Sequence, residues 1–184
     1  MCPPKLVKPY VKSFGRQVLN GREPDFTYVA NQPLDVSFND CFVYVKEHAQ
    51  AHGGEMLIGW AIWERPKLFI EAEFHAVWKT DDGELIDLNP RPIPIPRVLF
   101  LPDTNRRYEG RQVDNIRKPL CRDANLIRFL SNQSKWFGLL NEGDLADYHG
   151  EIVMTPAMKK LQKEQLTIEM YLERKYGRWL PESS

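Results

Sequence analysis

Three residue types that together support thiol chemistry occur in the first half of the chain. Cys41 stands at the start of a helical pattern, His75 lies in an alternating apolar run, and Asp87 lies in the next such run. A cysteine nucleophile needs a base, and the base needs a group that orients it. These residues therefore predict a nucleophilic cysteine with a base and an orienting group, provided that the fold brings them together.

The role of Cys41 depends on the helix predicted for SFNDCFVYVKEHAQAHGG. Ser37 with Asp40 resembles a capping box, and Asn39 is an alternative N-cap. Either cap places Cys41 in the first turn, where unsatisfied N–H groups favour the thiolate over the thiol. The alternative is that Cys41 is a small buried apolar side chain, as most free cysteines are.

The turn between the two alternating runs decides whether His75 and Asp87 can meet. A three-residue loop over 81–83, with Gly83 in the left-handed conformation, puts both side chains on one face of a hairpin. Asn89 lies on that face too, so either Asp87 or Asn89 could orient the imidazole. A two-residue turn would move Asp87 to the other face. With either turn the alternative is that His75 is a half-buried strand histidine, and that Asp87 and Asn89 are strand-end and turn residues before Pro90.

Composition excludes several classes of protein. The chain has 184 residues with 25 basic and 25 acidic side chains, so it has no net attraction for nucleic acid. No apolar run reaches the roughly 18 residues of a membrane span. The N-terminus has no apolar core of a signal peptide, which predicts a cytoplasmic protein. Three widely spaced cysteines are not typical of a disulfide framework or a zinc site.

The order of patterns predicts an α+β fold in one domain, with a nucleophile helix packed on an antiparallel sheet. Residues 1–36 are proline-rich and predict an extended arm with one or two short strands. Residues 37–102 carry the helix and the sheet, and residues 103–184 predict a mainly helical extension. A helix over 155–177 has an apolar stripe that should pack on the domain, formed by Met158, Leu161, Ile168 and Leu172.

Short motifs between residues 37 and 92 follow one another in a recognisable order. Cys41 leads a helix, Gly59-Trp60 lies in a strand, and His75 is followed by Trp78. Asp87 then precedes Asn89-Pro90. This series resembles the transglutaminase-like branch of the papain-like cysteine hydrolase superfamily, although Asn89 stands where that branch usually has Thr. No upstream glutamine matches the oxyanion donor of papain, for which Gln32 and Asn39 are weak substitutes.

The resemblance implies a papain-like or transglutaminase-like core and a thiol-dependent hydrolase or acyltransferase. Its substrate would carry an amide or peptide bond, as for a peptidase, an amidase or a glutamine deamidase, and proteins are among the candidates. Cys41 would be the nucleophile, His75 the base and Asp87 the orienting group, with no cofactor and no metal. Further candidates are Asn39 and Asn89 for the oxyanion or for orientation, and Trp60 and Trp78 for the substrate cleft.

Two other functions stay open from the sequence. The chain could keep the fold as a binding module without chemistry. His48 and His52 are four residues apart on the predicted helix, which is metal-ligand spacing, although both lie in its last turn, where a positive imidazole also complements the helix dipole. The oligomeric state is not predicted.

Overall fold

The computed structural model describes residues 1–36, 41–111, 113–143 and 153–178. Within these ranges the chain forms helices and strands in an interleaved order. They are α1 (Pro9–Val18), β1 (Thr27–Asn31), α2 (Cys41–His52), β2 (Glu55–Arg65), β3 (Phe69–Lys79), β4 (Leu85–Asp87), β5 (Arg97–Pro102), β6 (Ile116–Pro119), α3 (Ala124–Leu140) and α4 (Pro156–Tyr176).

Five of these strands close into a barrel in the order β2-β5-β1-β4-β3, with β3 pairing again with β2. The sixth strand, β6, lies beside the first residues of β3. Every pair is antiparallel except β1 and β4, which run parallel with Asn31 opposite Asp87. The predicted α+β class is confirmed. The prediction of a purely antiparallel sheet is wrong, because β1 comes from far upstream and inserts between β4 and β5.

The prediction of an extended N-terminal arm is also wrong, because α1 is part of the core. Pro9 occupies the first turn of α1, where a missing N–H costs nothing. Val11 and Phe14 are completely buried, in one apolar core with Phe42 of α2 and Phe74 of β3. The other prolines of this segment lie before or after α1 and do not interrupt it, namely Pro3, Pro4, Pro24 and Pro33. The strand expected near residues 26–29 is present as β1.

The helix α2 covers the barrel on the same core as α1. The ring of Phe42 packs against Phe74 with centroids 4.9 Å apart, and it stacks on Tyr108 at 4.1 Å. Val45, one turn later on this face, is completely buried. Packing of this apolar face anchors the first turn of α2, and Cys41 with it, against the sheet.

The C-terminal helices form a second apolar core with the beginning of β3. Helix α4 agrees with the prediction: Thr155 caps its first turn, and Gly177 ends it with a φ of 88°. Leu161 of the predicted stripe is half-buried, and the other three members are buried, namely Met158, Ile168 and Leu172. Two of these, Ile168 and Leu172, pack with Leu68 and Phe69. The mainly helical prediction missed β6, whose sequence IRKP has no strand-like alternation.

We expect this docking to contribute to the stability of the fold. Leu172 is completely buried, so Leu172→Ala should lower the free energy of unfolding by about 2–5 kcal/mol. Leu166 lies on the same helix but is 56% exposed, so Leu166→Ala should change it by less than about 0.5 kcal/mol. Urea unfolding followed by circular dichroism measures both, and equal losses would show that α4 is not packed in this way.

Candidate active site

The loop between β3 and β4 has the longer of the two predicted forms. The main-chain N–H of Thr80 donates to the carbonyl of Glu84 at 2.9 Å, and that of Gly83 donates to Thr80 at the same distance. Gly83 has a φ of 85°, the left-handed conformation that glycine adopts without strain. The pairing of Trp78 with Ile86 continues this register. The predicted three-residue loop over 81–83 is therefore confirmed.

This register brings Asp87, and not the side chain of Asn89, to the imidazole of His75. The Nε2 of His75 lies 2.8 Å from Oδ1 of Asp87, and neither residue has any exposed surface. The main-chain N–H of Asn89 donates to the same oxygen at 3.1 Å. The Asn89 side chain instead forms a hydrogen bond with the hydroxyl of Tyr44. The alternative that the sequence left open is decided in favour of Asp87.

The second oxygen of Asp87 has partners that sequence reasoning missed. Asn31 donates to it through Nδ2 at 3.0 Å, and a terminal nitrogen of Arg91 lies 3.5 Å away. Burial alone would raise the pKa of Asp87, but the charge and hydrogen bond of His75, with the charge of Arg91, outweigh it and lower that pKa. The parallel pairing of β1 with β4 puts Asn31 here, and no local motif in the sequence indicates that pairing.

Cys41 lies in the first turn of α2, as predicted, and the residue is only 6% exposed. Its sulfur interacts electrostatically with the His75 ring. The Nδ1 of His75 has no hydrogen-bond partner among the described residues, so this ring nitrogen is the one that remains open to the sulfur. The capping candidates Ser37, Asn39 and Asp40, and with them the oxyanion role of Asn39, lie outside the described residues.

The protonation of His75 reflects two opposing effects. Complete burial by itself lowers the pKa of the imidazole, because a charged ring loses its hydration. The negative charges of Cys41 and Asp87, together with the hydrogen bond between the ring and Asp87, outweigh that effect and raise the pKa of His75 to about 10.

The two tryptophans predicted for a substrate cleft do not lie in one beside Cys41. Trp60 is completely buried, and its Nε1 donates to Asp103 at 3.1 Å, so it belongs to the core. Trp78 donates to the carbonyl of Gly53, just beyond the last turn of α2. That helix has 12 residues and is about 18 Å long, so Trp78 is at the far end from Cys41. Both predictions are corrected, because strand register set the positions of these rings.

Gly59 has a packing reason for being glycine. It lies opposite His75 in the β2–β3 register and opposite Pro102 of β5. A Cβ atom at this position would lie 2.3 Å from the carbonyl oxygen of Leu101. The close approach of β5 to β2 at this point therefore requires a residue without a side chain.

The histidines of α2 form a separate feature. The rings of His48 and His52 stack with centroids 4.1 Å apart, and the edge of His48 meets Trp78 at 4.5 Å. Within the ranges that the structure describes, no group of three or more histidine, cysteine, aspartate or glutamate side chains is arranged to hold a metal ion.

Comparison with known proteins identifies no family for this chain. No family model, no curated protein and no solved structure matches the chain. Among the described helices, none is both long enough and apolar enough to cross a membrane.

The raised pKa of His75 predicts an imidazolium that persists in alkaline solution. The ring should stay protonated at pH 8 and titrate near pH 10, because two negative partners stabilise its charge. In Asp87→Asn one of these charges is removed, so the ring should titrate at lower pH. Nitrogen-correlated NMR of the imidazole rings measures this titration, with His75→Gln to assign the signals. A His75 ring that titrates near its ordinary value of about 6.5 would contradict the proposed charge balance.

Proposed function

We propose that the chain is a thiol-dependent hydrolase or acyltransferase that acts on an amide bond through Cys41, His75 and Asp87. The observation that carries this proposal is the fully buried 2.8 Å hydrogen bond between His75 and Asp87, beside a cysteine that begins a helix. A papain-like or transglutaminase-like core, as the sequence motifs indicate, is part of the same proposal.

In the proposed mechanism the proton of the Cys41 thiol already lies on Nδ1 of His75 before the substrate is attacked. The thiolate attacks the carbonyl carbon, so that a sulfur–carbon bond forms and the carbonyl electrons move to oxygen. The backbone N–H of Cys41, at the positive end of α2, is the proposed donor to this oxyanion. When the carbonyl re-forms, the carbon–nitrogen bond breaks and the leaving amine takes the proton from His75.

The second half of the reaction releases the acyl group from the thioester. Water attacks the carbonyl with His75 as the base, the carbon–sulfur bond breaks, and the thiol is restored with a free acid as product. An amine in place of water would give transfer of the acyl group. Hydrolysis is the proposed default because water is always present. Asp87 stays ionised throughout and holds the Nε2–H of His75, which leaves Nδ1 for the sulfur.

A second candidate function rests on the depth of the three side chains. His75 and Asp87 have no exposed surface and Cys41 has very little, whereas a carbonyl carbon must reach the sulfur for acyl transfer. These burial values favour a binding module in which the three residues have a structural role only. Reactivity of the Cys41 thiol distinguishes the two functions.

The test of the proposed function is the rate at which iodoacetamide alkylates Cys41. Cys2→Ser and Cys121→Ser leave it as the only thiol. An ordinary thiol is only about 1% ionised at pH 6.5, so Cys41 paired with His75 should react about tenfold faster than in His75→Gln. His52→Gln, which removes an exposed histidine from the same helix, is the matched control and should leave the rate unchanged.

The same variants can be tested for acyl transfer with p-nitrophenyl acetate. The proposed mechanism predicts a burst of nitrophenolate, together with an acetyl group on Cys41 in the intact mass, and neither in Cys41→Ala. If Cys41 labels no faster than in His75→Gln, and no acetyl group is found, the binding module is the correct function.

A further inference from the structure

Arg91 follows β4 and approaches the His75–Asp87 pair from the side away from Cys41. One terminal nitrogen lies 3.5 Å from Oδ2 of Asp87 and 3.4 Å from Nε2 of His75. The side chain is only 12% exposed. The structure therefore has a buried guanidinium in direct contact with both members of the pair.

The far side of the guanidinium is held by other partners. Its other terminal nitrogen lies 3.2 Å from Oε2 of Glu73, and its central carbon lies 4.7 Å over the ring of Trp63. Trp63 in turn donates to Glu73 at 2.7 Å. When the Asn89 amide is oriented with its nitrogen toward Tyr44, its oxygen accepts from both terminal nitrogens of Arg91, at 3.1 and 3.3 Å.

These contacts divide the Asp87 carboxylate between two positive partners. The Nε2 of His75 donates to Asp87, so it cannot also accept from Arg91, and the 3.4 Å approach joins two donors. His75 and Arg91 can lie this close together because the Asp87 carboxylate contacts both of them and offsets their repulsion. Arg91 and Asn31 occupy Oδ2, while His75 and the N–H of Asn89 occupy Oδ1.

We propose that Arg91 is a positioning residue that holds Asp87 as a carboxylate directed at His75. This role rests on the proposed function and adds a residue to it. The charged groups around the imidazole are Cys41 from α2, Asp87 and Arg91 from the end of β4, and Glu73, which reaches it through Arg91. Loss of the guanidinium charge makes both the carboxylate and the thiolate easier to protonate.

The test is the pH profile of Cys41 alkylation in the single-thiol background described above. In Arg91→Met the acid limb of the profile should move to higher pH by at most about one pH unit, the effect of a cation on a directly adjacent carboxyl, because Arg91 acts on the thiol only through Asp87 and His75. Arg91→Lys, which restores the charge, should recover most of this shift. A residue that acted only by packing would change stability without moving the limb.

Arg117 provides a matched control. It is 10% exposed and pairs at 2.7 Å with Glu71, another carboxylate of β3, and also with Asp114. Arg117→Met removes a comparably buried cation, so it should destabilise the fold while leaving the acid limb in place. A shift as large as that of Arg91→Met would overturn the specific role of Arg91.

A second variant keeps the proposal testable if Arg91→Met does not fold. Glu73→Gln removes the carboxylate that competes with Asp87 for the guanidinium, so the acid limb of the Cys41 alkylation profile should move to lower pH.

If the acid limb of this profile stays at the wild-type pH in the folded variants, the role of Arg91 is overturned but the proposed function is left intact. If wild-type labelling does not depend on His75, the proposed function fails. The carboxyl carbon NMR shift of Asp87, titrated in wild type and Glu73→Gln, then decides whether Arg91 holds its charge, because a guanidinium freed from Glu73 should make Asp87 titrate at lower pH.

Discussion

The arrangement depends on one constraint, the charge of the fully buried Asp87. Transfer of a carboxylate from water to the interior costs several kcal/mol unless donors and positive charges replace its hydration. Asp87 has no exposed surface, and its partners come from β1, β3 and the segment after β4. These elements must meet at one point for the charge to be tolerated, so the pairing of the strands and the chemistry of the site are linked.

The closed barrel provides this meeting point. The parallel insertion of β1 between β4 and β5 places Asn31 beside Asp87, and the β3–β4 loop sets the register of His75. The core that α2 shares with β3 then holds Cys41 near the same imidazole. The same hydrogen bonds that make the buried charge stable also fix the orientation that acyl transfer would need.

The second apolar core is connected to the barrel at the beginning of β3. Leu68 and Phe69 pack with α3 and α4, whereas His75 lies six residues further along the strand. Asp123 caps α3 and also accepts from Lys175 and Tyr176 near the end of α4, so the two helices are tied together there. These helices therefore add stability to the fold without contributing a side chain to the described site.

The sequence by itself determined the features that depend on local patterns. These are the helix with Cys41 in its first turn, the turn at residues 81–83 between two strands, and the capped helix α4, since turn chemistry and periodicity act over a few residues. The sequence left Asp87 and Asn89 as alternative partners of His75, and the strand register decided between them. Tertiary structure alone decided the closure of the barrel, the parallel partner of β4, and the burial of α1. It also decided the roles of Asn31 and Arg91 and the positions of Trp60 and Trp78. Those features depend on contacts between distant segments, where burial of a shared core and pairing of one buried charge override what any short stretch of sequence shows.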